Sequence, residues 1–256
     1  MFHQWHRFIF LAIISVQTIC LANPQVTTHI EKAREFEENN QLERALDRAR
    51  KAVSESDQNT NKAQFLQAYQ LVIELSYHLG NFRETLRYAA DLIGLDKSKE
   101  AQFFGHRYLG NGFMDSNKIE EAINAYNFAL GINSENKEEM ADIHFNLGTI
   151  HWDLYFIAEA KIHFNEAINI LKNSNIQNIV LVDSYFNLAA LEDEQENYSA
   201  ARSLLQKCLK SSALVEEDIP FLIEIFDFLA SCNNQLNEHS SASNYYLKVV
   251  ELTSEV

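Results

Sequence analysis

The chain has 256 residues with only 7 Gly and 2 Pro, 46% hydrophobic residues and a formal net charge of −15. Sandwiches, barrels and glycine-looped nucleotide-binding folds need many tight turns, so this composition favours an all-α fold with a sizeable core. The negative charge argues against nucleic acid or an anionic membrane as a partner, because both carry the same sign.

The first residues have the pattern of a secretory signal peptide. Arg7 supplies a positive flank, and the apolar run from Phe8 to Leu21 is shorter than the roughly 20 residues that a membrane span needs. Cys20 and Ala22 suit the small-residue cleavage rule, so we predict cleavage between Ala22 and Asn23. The mature chain is then expected to be extracytoplasmic, which means periplasmic in a bacterium and secreted or in the secretory pathway in a eukaryote. An uncleaved anchor or a buried core helix is the alternative.

Six copies of one pattern follow in the rest of the chain. Each copy has a polar turn, an apolar or aromatic residue, and then a small residue that we call the anchor. Apolar or small residues recur four and seven positions after each anchor, which places them on one face of a helix. The anchors are 37 to 41 residues apart: Ala45, Thr85, Ala122, Ala160, Ala201 and Ala242.

A second amphipathic helix precedes each turn. Its small residue lies twelve positions before the anchor, most clearly at Gly110, Gly148, Ala189 and Ala230. Small side chains on both helices allow an antiparallel pair to approach closely. This helix–turn–helix unit resembles the tetratricopeptide repeat over residues 26–253, in a long-repeat subclass of about 40 residues. The usual repeat is shorter, and the proline that often ends it is absent.

The resemblance implies an all-α, right-handed superhelical solenoid of about six antiparallel helix–turn–helix repeats. The expected domains are a signal peptide at residues 1–22 and a solenoid at residues 23–256. The repeats are expected at about 26–59, 60–98, 99–135, 136–175, 176–216 and 217–256.

No catalytic motif is present in the sequence. The glycines between Gly105 and Gly112 lack the Lys-Ser/Thr of a phosphate loop, and neither His-Glu-x-x-His nor Cys-x-x-Cys occurs. His144 and His151 share the packed helical face, so hydrogen-bonded core histidines are more plausible than metal ligands. The aromatic residues recur at repeat positions and are expected in the core. We therefore expect no enzymatic activity, no cofactor and no metal, and free buried thiols at Cys208 and Cys232.

Resemblance to the family places a binding groove along the first helix of each repeat. Carried onto this chain, the groove residues are Arg107, Tyr108, Asn111, Asp115, Phe145, Asn146, Trp152, Asp153, Phe186, Asn187 and Asp193. Some family members hold a terminal carboxylate in a clamp of cations and asparagines. Arg107, Asn111 and Asn146 match half of that clamp, but Phe186 and Ala190 replace two of its cations. Asn146 and Asn187 would bond the main chain of an extended peptide or, alternatively, residues of their own repeat.

These features predict an extracytoplasmic scaffold or adaptor that binds protein or peptide segments in its groove. The carboxylates along the groove favour a neutral or basic segment. Apolar residues of the last helix, among them Tyr245, Val249 and Leu252, suggest a homodimer through the C-terminal repeat. The alternative function is a ligand-sensing input module, as a truncated or stand-alone form of a repeat-containing signalling receptor.

Overall fold

The computed structural model describes residues 22–132, 135–176, 178–211 and 219–254. In these ranges all regular structure is helical, and the predicted all-α fold of about six helical hairpins is confirmed. The residues group into two compact units that divide between residues 133 and 134. The predicted signal segment lies outside the described residues, except for Ala22. Among the described helices, none has the combination of length and apolar character that a membrane crossing requires.

Each unit contains three helical hairpins. The first unit consists of α1 (Pro24–Glu38), α2 (Leu42–Glu55), α3 (Lys62–His78), α4 (Phe82–Leu95), α5 (Lys99–Asp115) and α6 (Ile119–Leu130). The second consists of α7 (Lys137–Asp153), α8 (Ile157–Asn173), α9 (Ile179–Glu194), α10 (Tyr198–Ser211), α11 (Ile219–Gln235) and α12 (His239–Ser254). Odd-numbered helices are the first helices of their hairpins, and even-numbered helices are the second.

Side-chain caps start the first helices. The side chain of the residue before α1, α3, α5, α7 and α9 accepts a hydrogen bond from a backbone N–H of the first turn. This satisfies a donor that has no partner within the helix. The capping residues are Asn23, Asn61, Ser98, Asn136 and Asn178.

A left-handed residue closes the turn within every hairpin. It lies five positions before the anchor and has φ between 55° and 70°, at Asn40, Gly80, Asn117, Tyr155, Glu196 and Asn237. At the fourth hairpin, the N–H of Tyr155 donates to the Trp152 carbonyl and that of Phe156 to the His151 carbonyl, both at 2.8 Å. These paired bonds end the first helix and reverse the chain. Asparagine and glycine tolerate this conformation best, whereas Tyr155 and Glu196 adopt it at a cost.

The anchors are buried, as the pattern predicts, and glycine allows the closest helix approach. All six anchors are at most 3% exposed. A Cβ on Gly110 would lie 2.4 Å from the Tyr126 ring, and one on Gly148 would lie 2.7 Å from the Phe164 ring. In both hairpins the glycine faces the aromatic ring four residues after the anchor.

Several aromatic and apolar residues differ from their expected positions. The expectation that the aromatic residues form the core is wrong for Phe128, Tyr155 and Phe156, which are exposed. On α12, the exposed large hydrophobic side chains are Tyr246, Leu247 and Val250, whereas Val249 and Leu252 are half-buried. Tyr245, in contrast, is half-buried because its ring stacks on Phe226 at 6.1 Å.

The two cysteines of the described chain are free and buried, as expected. The Cys208 thiol lies 3.6 Å from the Val182 carbonyl oxygen, and the Cys232 thiol lies 3.8 Å from Oδ1 of Asp193. Burial raises the pKa of both thiols to about 12. They are therefore protonated, weakly reactive packing groups at neutral pH.

Candidate peptide-binding surface

Aromatic side chains from all three first helices of the second unit are half-buried against the same core, and we call this set the aromatic floor. It consists of Phe145, Trp152, Phe186, Phe221 and Phe228. The Phe186 ring is 5.3 Å from Phe221 and 5.8 Å from Phe228, so α9 and α11 touch through these rings. Phe145 and Trp152 of α7 rest on the buried ring of Phe164, with centroids 5.8 Å and 6.4 Å away. These rings pack on the core with one side and reach the surface with the other.

Carboxylates accompany the aromatic floor. The indole N–H of Trp152 lies 3.3 Å from both carboxylate oxygens of Glu194. Asp193 accepts a hydrogen bond from the Cys232 thiol, and Asp153 is exposed at the end of α7. Burial raises the pKa of Asp183, also on α9, to about 6. The surface is thus apolar at its centre and negatively charged at neutral pH.

The three predicted asparagines have different environments. Asn111 accepts a hydrogen bond of 2.8 Å from the Tyr126 hydroxyl and so ties α5 to α6. Asn146 is half-buried and already has an interaction partner. Asn187 is also half-buried, but its side-chain amide has no hydrogen-bond partner in the part of the chain that the structure describes. Asn187 therefore has both donor and acceptor capacity left for a ligand's main chain.

The predicted residues of the first unit gather around Tyr77 of α3. Tyr108 is buried in the core, and its ring lies 5.7 Å from the Tyr77 ring. The Arg107 guanidinium lies 4.8 Å over the Tyr108 ring. Asp115 is hydrogen-bonded to the Tyr77 hydroxyl, and burial together with this bond raises the pKa of Tyr77. Tyr108 therefore contributes to packing more than to an open surface.

The residues of the predicted carboxylate clamp are divided between the units. Arg107 and Asn111 belong to the first unit and Asn146 to the second. Neither unit by itself contains all three of the residues that match the clamp. Within the second unit, by contrast, Phe145, Trp152, Phe186 and Asp193 belong to the connected surface described above.

Sequence reasoning missed the contribution of α11 to this surface. Phe228 lies fourteen positions before its anchor, the same position as Asn146 and Asn187 in the two preceding repeats. Applying the repeat alignment to the sixth copy would have identified it. Phe221 lies one helix turn beyond the predicted groove positions, so no repeat position marked it.

Three histidines pack together beside the fourth hairpin turn. The Nδ1 atoms of His144 and His163 are 3.1 Å apart, so His144 is hydrogen-bonded as expected. His151 differs, because its Nδ1 is buried without a hydrogen-bond partner and its ring stacks on His163 at 5.2 Å. Burial and the two neighbouring imidazoles lower the pKa of His163 to about 4. Within the described ranges, no group of three or more His, Cys, Asp or Glu side chains has a metal-binding arrangement.

The tetratricopeptide repeat family matches residues 139–213, which contain most of α7 and all of α8, α9 and α10. No curated protein has a significant sequence match to this chain.

Solved structures share the fold of this protein over most of its chain. BtubC (BKLC) from P. vanneervenii aligns with a TM-score of 0.65 and 17% identity over 91% of this chain and 92% of its own. The apo form of RapI aligns with a TM-score of 0.66 and 17% identity over 90% and 97%. A Rap protein complexed with competence and sporulation factor aligns with a TM-score of 0.59 and 17% identity over 90% and 75%. At these identities the likeness shows a shared fold.

Proposed function

We propose that the chain, whose residues 139–213 match the tetratricopeptide repeat family and whose fold is shared with RapI, is a non-catalytic scaffold or adaptor. Its function would be to bind an extended protein or peptide segment on the first-helix surface of the second unit. The observation that carries this proposal is the unpartnered Asn187 amide beside the aromatic floor. A Rap protein of the same fold was solved with a bound factor, which supports a binding role for this architecture.

The chemistry of the surface supports a neutral or basic segment. Half-buried Phe145, Trp152 and Phe186 offer apolar contact area with little side-chain entropy left to lose. Asn187 can pair with both main-chain groups of an extended residue, which selects for extended backbone and not for one sequence. The Glu194 carboxylate beside Trp152 attracts Lys or Arg next to those contacts.

We also propose that the protein acts outside the cytoplasm. The support is the apolar run from Phe8 to Leu21, with a cleavable small-residue pattern before Asn23. The intact mass of the protein exported by its native host should correspond to a chain that begins at Asn23. A membrane-bound chain that retains Met1 would contradict this location.

The binding role is tested by capturing partners from the native compartment with wild-type protein and two variants. Asn187→Ala removes the free amide from the first-helix surface and disturbs no described hydrogen bond, so the fold should be unchanged. Asn127→Ala, at an exposed position on α6, is the matched control. We expect partners identified by mass spectrometry to be lost with Asn187→Ala, retained with Asn127→Ala, and released by salt. Equal recovery of every partner by all three proteins would refute the proposed surface.

A further inference from the structure

The turn of the fourth hairpin is apolar and exposed. Leu154, Tyr155 and Phe156 are 40%, 86% and 53% exposed, and we call these three residues the aromatic turn. The other five hairpins have polar residues or glycine at the positions of Tyr155 and Phe156: Asn40-Gln41, Gly80-Asn81, Asn117-Lys118, Glu196-Asn197 and Asn237-Glu238. The hairpin fold therefore does not require aromatic residues at this place.

The backbone at Tyr155 makes the choice of residue more unusual. Its φ of 60° lies in the left-handed region, where a bulky residue costs about 1 kcal/mol relative to glycine. Three of the six hairpins place asparagine there, and asparagine tolerates this region better. A solvent-exposed ring at such a position lowers the stability of the free protein. Backbone strain of this kind concentrates at functional sites.

Acidic residues surround the aromatic turn. Lys161, near the start of α8, contacts Glu192 Oε1 and Gln195 Oε1, both at 2.7 Å. These contacts place the fourth hairpin turn beside the fifth. The exposed carboxylates of these two turns are those of Asp153, Glu159, Glu194 and Glu196, and the Lys161 ammonium is already paired with Glu192. An exposed apolar patch with negatively charged neighbours is the result.

We propose that the aromatic turn is a second docking surface, for a protein segment in which large apolar side chains alternate with Lys or Arg. The apolar residues of the bound segment would cover the rings of Tyr155 and Phe156, and the Lys or Arg side chains of the segment would face the four exposed carboxylates. Two copies of this chain joined at the same patch would bring those carboxylates together, which is unfavourable. An anionic membrane is repelled by the same charges.

The test uses a fluorescent peptide of about 14 residues that contains only Leu and Lys in an amphipathic pattern. Its affinity for the full chain is measured by anisotropy, with a Leu/Glu peptide of the same pattern as the probe control. The turn variant Tyr155→Asn/Phe156→Ser makes both positions polar, as both are in most of the other hairpins, and should leave the helices intact. The matched control is Phe128→Ser, which removes an exposed ring from α6 in the first unit. Asn187→Ala separates this surface from the first-helix surface.

We expect the turn variant to weaken Leu/Lys peptide binding at least about tenfold, as loss of a hot-spot contact does. Phe128→Ser and Asn187→Ala should change it less than about twofold, and the Leu/Glu peptide should not bind. Wild-type affinity in the turn variant would overturn the proposal. Two other results would also overturn the proposal. The first is that the turn variant abolishes self-association seen in sedimentation, and the second is that it abolishes co-sedimentation with phosphatidylglycerol vesicles, each without weakening of Leu/Lys peptide binding. The first result would identify a second copy as the occupant and the second a lipid surface.

Discussion

Alanine at Gly148 tests the close helix approach that defines the fourth hairpin. A Cβ there would lie 2.7, 2.8 and 3.1 Å from Cε1, Cδ1 and Cγ of Phe164, whereas carbon atoms prefer about 3.5–4.0 Å. The Phe164 ring is fully buried and held between Phe145 and Trp152, so it has little room to move. Alanine gains about 1 kcal/mol of helix propensity over glycine, but overpacking a core costs about 1–3 kcal/mol. We expect a net loss of about 1 kcal/mol, which lowers the melting midpoint by about 2–4 °C.

Two further variants make the Gly148→Ala measurement decisive in thermal and urea unfolding. Gly94 lies near the end of α4, and a Cβ there would meet nothing within 4 Å, so Gly94→Ala should stabilise by up to about 0.5 kcal/mol. Phe164→Leu frees space next to Gly148, so the double variant Gly148→Ala/Phe164→Leu should be more stable than the sum of the single effects by at least about 0.5 kcal/mol. If Gly148→Ala raises the midpoint as Gly94→Ala does, the two helices are further apart than the structure places them.

Four more substitutions test the caps, the turn, a half-buried carboxyl and the last helix. Asn61→Ala removes the cap of α3 and should lower the free energy of unfolding by about 1 kcal/mol in urea titration, with no loss if the cap is unimportant. Tyr155→Asn should raise it by about 0.5 kcal/mol, because asparagine tolerates the left-handed region; a decrease would show that the exposed ring stabilises the fold. The pKa of Asp183 is raised to about 6 in the folded protein, so its ionisation opposes folding as pH rises from the unfolded-state pKa to the folded-state pKa. Asp183→Asn should therefore raise the melting midpoint at about pH 7.5 but not at about pH 4. A gain at both pH values would refute the assigned pKa. We propose a homodimer through the exposed apolar residues of α12. Val250→Glu should then abolish the dimer measured by light scattering at micromolar concentration. A monomeric wild-type protein would exclude this homodimer.

The fold could be predicted because its determinants are local and repeated. Low glycine and proline content excluded the turn-rich folds, and six anchors in one register identified the helical hairpins. The anchors Ala122 and Ala160 are buried together with the residues four positions later, because residues at that spacing lie on the same face of a helix. A pattern of that kind locates the packed face without any knowledge of distant contacts.

The candidate surface was harder to predict because neighbouring helix positions point in directions about 100° apart. Arg107 and Tyr108 both received groove positions, but Tyr108 is buried against Tyr77 while Arg107 lies over its ring. The same difficulty applies to α12, where Tyr246 is exposed and Tyr245 stacks on Phe226. Which of two adjacent residues reaches solvent depends on the packing of the next helix, and the repeat pattern does not contain that information.

The six hairpins also act as internal references for one another, and a residue that departs from its counterparts in the other hairpins is a candidate binding residue. A hairpin needs a tolerant residue in its left-handed turn, and most copies have Asn or Gly there, so Tyr155 is a departure with a cost in stability. The residues equivalent to Asn187 are Asn146 in the fourth repeat, which has an interaction partner, and Phe228 in the sixth. Of these three positions, only Asn187 has a half-buried amide without a partner among the described residues. Neither feature improves folding of the isolated chain, since one adds strain and the other forgoes a hydrogen bond. Both are explained if the missing contact is supplied by a partner. The variants Asn187→Ala and Tyr155→Asn/Phe156→Ser test the amide and the aromatic turn separately, while the carboxylates of Asp153 and Glu194 are common to both surfaces.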